Sequence, residues 1–317
     1  MSNRYSASSD ARRIIIRSAF AFLCQSFKAI SALHGGDRRA AFAFLVLAQL
    51  ASVSFEDGAA IRKHSPTISV HALAHSLVIP YETMRRSVAV LVNAGLCERN
   101  GRESVVLCRN TKTHAAVTRL RETMTDQLLR MLRDMNAIGF RFQGPVGAVQ
   151  SGAMPARLSA AAAEGDREPP TVDLAHAAGA LFLRLVEVGG PLHRHDILCT
   201  MVFAAIVSGN VAHIAHDKAL TWHFGPIDSP PPDDMRKAVS LRAISEMLGM
   251  SVETTRRCVC QLIENGECIR QAGQGVIVPA AVLARNDIVQ LAMRTALRVD
   301  QTLAELVRYR FDFEILA

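Results

Sequence analysis

The sequence predicts a mainly α-helical fold with small β-hairpins, arranged as two tandem units related by internal duplication. Two observations carry this reading. First, Val239–Val278, VSLRAISEMLGMSVETTRRCVCQLIENGECIRQAGQGVIV, reads as helix, tight turn, helix, then strand–turn–strand. Second, Ile68–Leu107 aligns with that stretch without a gap at a constant offset of 171, with 13 identical positions. These are Ser69, Ala72, Leu77, Glu82, Thr83, Arg85, Arg86, Val88, Leu91, Gly95, Cys97, Arg99 and Val105. Self-similarity at a fixed offset marks a repeated structural unit.

The elements of the second stretch follow from its residues. Ser240 caps a helix from Leu241 to Leu248, in which Leu241, Ile244, Met247 and Leu248 keep helical spacing. Gly249 ends it, because glycine turns left-handed without steric cost. Ser251 caps a second helix with Val259, Leu262 and Ile263 on its buried side, and Gly266 closes that one. In the earlier copy the hairpin turns at Asn100-Gly101.

The remaining chain divides accordingly into a polar tail (1–12), a first domain (13–139), a Gly-, Ala- and Pro-rich linker (140–171) and a second domain (172–317). A helix from Arg13 to Leu33 is expected, apolar at Ile16, Ala19, Phe20, Leu23 and Phe27, then a very apolar helix from Asp37 to about Ser54. Thr113–Ile138 forms a long amphipathic helix carrying Leu120, Met124, Leu128, Met131 and Leu132. The second half repeats the plan. Leu192-His193 and Asp196 echo Leu33-His34 and Asp37, an apolar helix spans Ile197–Val211, a loop covers Asp217–Met235, and a long helix runs Ala284–Phe311.

Helix, turn, helix and hairpin in this order make a winged helix-turn-helix. GMSVETTRRCVCQLIENG at Gly249–Gly266 resembles GntR-type and Crp-type bacterial regulators, and Glu253-Thr254 followed by Arg257 resembles the Crp-type recognition helix. Tyr81 and Val252 stand where Crp-type helices often carry a base-reading Arg, and Pro80 replaces the capping Ser. The flanking helices resemble MarR-type regulators, in which they form a dimerisation module. That resemblance implies a homodimer or, with both copies in one chain, an intramolecular pseudo-dimer burying Phe42, Phe44, Leu45, Leu47 and Leu50.

In each copy the second helix buries one face: Met84, Ser87, Val88 and Leu91, or Thr255, Cys258, Val259 and Leu262. Glu82, Arg85, Arg86 and Ala89, or Glu253, Arg256, Arg257 and Cys260, face outward. A helix fits the major groove, where Arg grips guanine and Glu accepts from cytosine. Arg86 and Arg257 share a face with the glutamate four residues earlier and are assigned to bases, while Arg85 and Arg256 are assigned to phosphates. Thr83 and Thr254 suit phosphate contacts at the helix N-terminus. Arg99 and Arg102 on the first hairpin, with Arg270 and Gln271 on the second, complete the DNA-binding set, together with Tyr81, Ser251 and Val252.

Composition agrees. The 317 residues carry a net charge of +7, from Lys+Arg 36 against Asp+Glu 29, which suits a polyanionic partner. Seven scattered cysteines form no disulfide framework and fit a reduced compartment. No segment reaches the ~18 uncharged residues that span a bilayer, so the expected setting is cytoplasmic and nucleoid-associated. His193, His195, Asp196 and Cys199 lie close together, but their spacing matches no zinc signature; no metal and no cofactor are expected. No Ser/His/Asp set, Walker loop or dinucleotide fingerprint occurs, so no enzyme is expected. The function expected is sequence-specific binding of double-stranded DNA by a transcriptional regulator. The alternatives are a plasmid-type replication initiator and a winged-helix scaffold for protein contacts.

Overall fold

The computed structural model describes residues 11–33, 37–52, 67–77, 79–101, 103–142, 173–193, 196–271, 273 and 275–316. The chain is mainly helical with two small antiparallel sheets. Its first half comprises α1 (Arg12–Leu33), α2 (Arg38–Ser52), β1 (Ile68–Ser69), α3 (Val70–Ser76), α4 (Tyr81–Asn93), β2 (Cys97–Asn100), β3 (Ser104–Leu107) and α5 (Thr111–Ala137). The second half comprises α6 (Leu174–Gly189), α7 (Ile197–Asn210), α8 (Ala212–Ala215), α9 (Lys218–His223), α10 (Leu241–Leu248), α11 (Val252–Glu264), β4 (Ile269–Gln271), β5 (Gly275–Ile277), α12 (Ala280–Leu283) and α13 (Asn286–Arg308).

Four long helices close a ring at the centre: α1 packs on α5, α5 on α6, α6 on α13, and α13 on α1. Two come from each half, so one hydrophobic core runs through both. Phe42 shows the join. Its ring lies 5.4 Å from Phe27 of α1 and 5.6 Å from Phe182 of α6. Phe42, Phe44, Leu45 and Leu47 are buried, and Leu50 is partly so. An ion pair of 2.7 Å between Arg121 on α5 and Asp173 ties the halves again, and Asp173 also caps α6 by accepting from the His176 amide.

Helix α1 buries more than the single stripe expected. Ile14, Ile15 and Phe22 are covered along with Ile16, Phe20, Leu23 and Phe27, because α1 meets α5, α7 and α13 at once. By length and composition this helix could cross a membrane, although two-thirds of its most apolar window is buried against the rest of the chain.

Three sequence expectations need correction. Phe140 and Phe142, read as the start of a linker, pack into the core: Phe140 is buried and Phe142 stacks 4.8 Å from Phe313. Aromatic area of that size is too costly to leave wet. Residues 143–172 lie outside the described part. Asp217–Met235, read as a loop, contains α9, capped by Asp217 accepting from the Leu220 amide, and a 3-10 turn at Asp233–Met235. The last long helix starts at Asn286, after the separate turn α12, rather than at Ala284.

Candidate nucleic-acid interface

Each half presents a short helix, a second helix and a β-hairpin with matching local chemistry. Ser69 accepts from the Ala72 amide to cap α3, and Ser240 accepts from the Ala243 amide to cap α10. After α4 and α11 the chain turns at Gly95 (φ 69°) and Gly266 (φ 70°). That left-handed backbone strains any residue with a Cβ. The amide of the next residue then bonds back into the helix in both places: Leu96 to Leu91, and Glu267 to Leu262. Ile68 pairs with Val105 and, 171 residues on, Val239 bridges Val276. Gly275 brings the second hairpin very close, since a Cβ there would stand 2.3 Å from the Val239 carbonyl oxygen.

The buried faces of α4 and α11 are those read from the sequence, namely Met84, Ser87, Val88 and Leu91, and Thr255, Cys258, Val259 and Leu262. They rest on α2 and α7 respectively. The opposite faces meet solvent. Tyr81 and Val252, at matching positions, are about half exposed, at 45% and 51%. The Tyr81 ring lies 6.4 Å from that of exposed His71 on α3. Thr83 and Thr254 are half-buried, and Arg99 and Arg270 are exposed on their strands. Arg102 lies outside the described residues.

The arginines divide by their reach to the glutamate. Glu82 accepts two hydrogen bonds from Arg85, both 2.8 Å, and one longer bond of 3.4 Å from Arg86. Glu253 accepts two from Arg256, at 2.8 and 2.7 Å. Sequence reading placed the arginine four residues on along the same face as each glutamate. Positions three and four apart are both helical neighbours. Here the guanidinium three residues on is the one that aligns both N–H groups with both carboxylate oxygens. Arg86 is left 77% exposed, and Arg257 makes no hydrogen bond or ion pair among the described residues.

The Arg85 hydrogen bond, then the nearby charges, hold the Glu82 carboxyl at about 2, well below its ordinary range. The Arg256 hydrogen bond lowers that of Glu253 in the same way. Arg85 and Arg256 are raised in turn, first by the bond to their glutamate. Both helices therefore present a fixed, ionised Glu–Arg pair at their N-terminal end and a freer arginine beside it.

Sequence reasoning missed the surroundings. Cys260 joins helix to hairpin in the second half, its sulfur 3.9 Å from both Arg256 and Arg270. The first half has Ala89 at that place. Arg39, His71, His75, Tyr81, Thr83 and Asp196 line an open cleft of about 720 Å³ beside the first helix. No sequence signal joins Arg39 or Asp196 to that group, because packing alone brings α2 and α7 there. Ser251 and Thr254 are partly committed to each other, with hydroxyls 2.8 Å apart and the Thr254 amide bonding Ser251 Oγ at 3.2 Å.

Two members of the histidine cluster, His193 and Asp196, contact their neighbours. His193 is buried, with Nδ1 3.1 Å from Thr200 Oγ1 and Nε2 3.3 Å from Glu267 Oε2, the latter an ion-pair distance without hydrogen-bond alignment. Asp196 caps α7 by accepting from the Leu198 and Cys199 amides. His195 lies outside the described residues. All seven cysteines are free thiols. Cys199 and Cys258, which join α7 to α11, interact so that the Cys199 thiol is pushed strongly up.

No protein-family model, curated protein or solved structure matches the chain.

Proposed function

We propose that this chain binds double-stranded DNA sequence-specifically, through two tandem winged helix-turn-helix units that arose by duplication and meet as an intramolecular pseudo-dimer. A transcriptional regulator acting in the cytoplasm is the form of that activity we favour. One observation carries the reading: α4 and α11 expose the same Glu-Thr-x-Arg-Arg face, with the same bidentate Glu–Arg pair, at positions 171 apart. The pair is solvent-exposed on both helices and so stabilises the fold little, which leaves a surface partner as its use.

With α4 and α11 in successive major grooves, Arg86 and Arg257 reach base edges. Arg85 and Arg256 are held by their glutamates toward the groove wall and its phosphates. Arg99 and Arg270 add phosphate contacts from the hairpins, and the net charge of +7 supports the approach. Footprinting on genomic fragments tests the reading. Protection at promoters supports the regulator, and protection of iterated origin repeats would assign the same helices to replication initiation. Absence of protection would point instead to a scaffold for protein contacts.

A further inference from the structure

A cavity of about 50 Å³ lies among α1, α7, the segment around Phe224–Arg236 and α13. That is several times the ~10–15 Å³ one water requires. Its walls are apolar, including Phe20, Phe203, Val207 and Leu291, yet Arg13, Arg17 and Arg236 also line it. No acidic side chain among the described residues does so.

These guanidinium groups are only partly satisfied. Arg13 donates to the Pro226 and Ile227 carbonyls, and Arg17 to those of Arg13 and Thr221. Arg236 donates from Nε to the Pro231 carbonyl at 3.1 Å, and the same nitrogen lies 3.5 Å from Asp233, itself half exposed. That leaves Arg17 Nη1 and both Nη atoms of Arg236 buried without a partner, the Arg236 side chain having no exposed surface. Burial, followed for Arg13 by the charges of Arg236 and Arg17, pulls Arg13 and Arg17 down to about 10. Asp233 reaches only the Nε side of Arg236, and Asp228 bears on Arg13, so buried guanidinium donors remain unfilled at the cavity and favour a negative guest.

We propose that this cavity binds a monocarboxylate of about acetate size, since its volume is roughly a third of the ~150 Å³ that holds benzene. The two free Nη atoms form one edge of the Arg236 guanidinium, and that edge matches the two oxygens of a carboxylate. Arg17 Nη1 supplies a further donor, and the phenylalanine and leucine walls receive the guest's methyl end. The site is independent of whether the chain binds DNA.

Trp222, the only tryptophan, follows Thr221, whose carbonyl accepts from Arg17, and its fluorescence serves as one readout beside the melting temperature. The test titrates the full chain with acetate and propionate, and with acetamide and propionamide, at constant ionic strength. Carboxylates should bind saturably and raise the melting temperature, and the amides of the same shape should not. Arg236→Met should weaken carboxylate binding at least about tenfold, and Arg236→Lys should restore part of it, because an ammonium gives charge without the paired donors. Should Arg236→Met fail to fold, Arg17→Met and the carboxylate–amide contrast on the unaltered protein still decide. Absence of saturable binding, equal binding of amide and acid, or undiminished affinity in the folded variants would overturn the proposal and leave the arginines as loop supports with water between them.

Discussion

Helix α4 begins at Pro80, which supplies no side-chain cap, whereas α11 begins at Ser251, whose hydroxyl accepts from the Thr254 amide. The hairpin after α4 joins β1 in a three-stranded sheet, and Thr113 of α5 donates to the Gly95 and Leu96 carbonyls at its base. The hairpin after α11 is clamped from outside: buried Asn210, at the end of α7, donates to the Lys237 and Val276 carbonyls and accepts from the Val278 amide. In the first half the corresponding position in α2, counted from the matched Asp37 and Asp196, is Ala51. The two halves thus support the same exposed chemistry differently. What both keep is the outward Glu-Thr-x-Arg-Arg face, and that is the part for which folding alone supplies no reason.

The comparison can be broken at the core. Phe42 bridges α1 and α6, so Phe42→Ala should cost about 3–5 kcal/mol and lower the stability of both halves together in one transition. Denaturant unfolding followed at Trp222 and by far-UV dichroism checks it. Two separated transitions, with only the first shifted, would mean that the halves fold as independent domains.

A smaller loss should mark the clamp. Asn210→Ala removes the partner of three backbone groups and should cost about 1–3 kcal/mol, with amide exchange quickened at Val276 and Val278 but not at Val105. Equal quickening at Val105 would show that the first sheet depends on the same support.

Cap chemistry sharpens the contrast further. Ser251→Ala should cost about 1 kcal/mol in a thermal or denaturant melt, while Pro80→Ala, which removes no side-chain cap, should leave the start of α4 without that loss. The smallest effect is electrostatic. Because the Glu82 carboxyl sits lower in the folded chain than in the unfolded one, its pairing contributes stability above the ordinary carboxylate range, and this is lost as pH falls through about 2. Carbon-detected NMR should find Glu82 ionised at pH 3, and Arg85→Ala should return its midpoint toward the ordinary range.

Much of the fold was legible because its signals are local. Helical spacing marked α3, α4, α10 and α11. Glycine marked their ends at Gly95, Gly249 and Gly266, all with positive φ. The offset of 171 also relates two backbone pairs that only the structure shows, Ile68 with Val105 and Val239 with Val276. What stayed hidden depends on tertiary packing. Nothing local to Phe140 and Phe142 distinguishes a core residue from a linker until Phe313 arrives from the far end of the chain. Likewise, i+3 and i+4 spacings are equally good on paper, and only side-chain geometry gives Glu82 to Arg85 and Glu253 to Arg256. The three arginines around the cavity come from positions 13, 17 and 236, with no pattern to join them.

The most direct test of the central claim is selection from randomised duplexes at fixed salt, run on the unaltered chain and on Arg85→Ala, Arg86→Ala, Arg256→Ala and Arg257→Ala. The unaltered chain should enrich two similar, unequal half-sites about 10 base pairs apart. Arg86→Ala and Arg257→Ala should each relax one base pair in one half-site at a cost of about 1–3 kcal/mol. Arg85→Ala and Arg256→Ala should weaken all sequences alike and reduce the salt slope by about one. No enriched sequence, or the same motif from all four variants with only weaker binding, would contradict base reading by these helices.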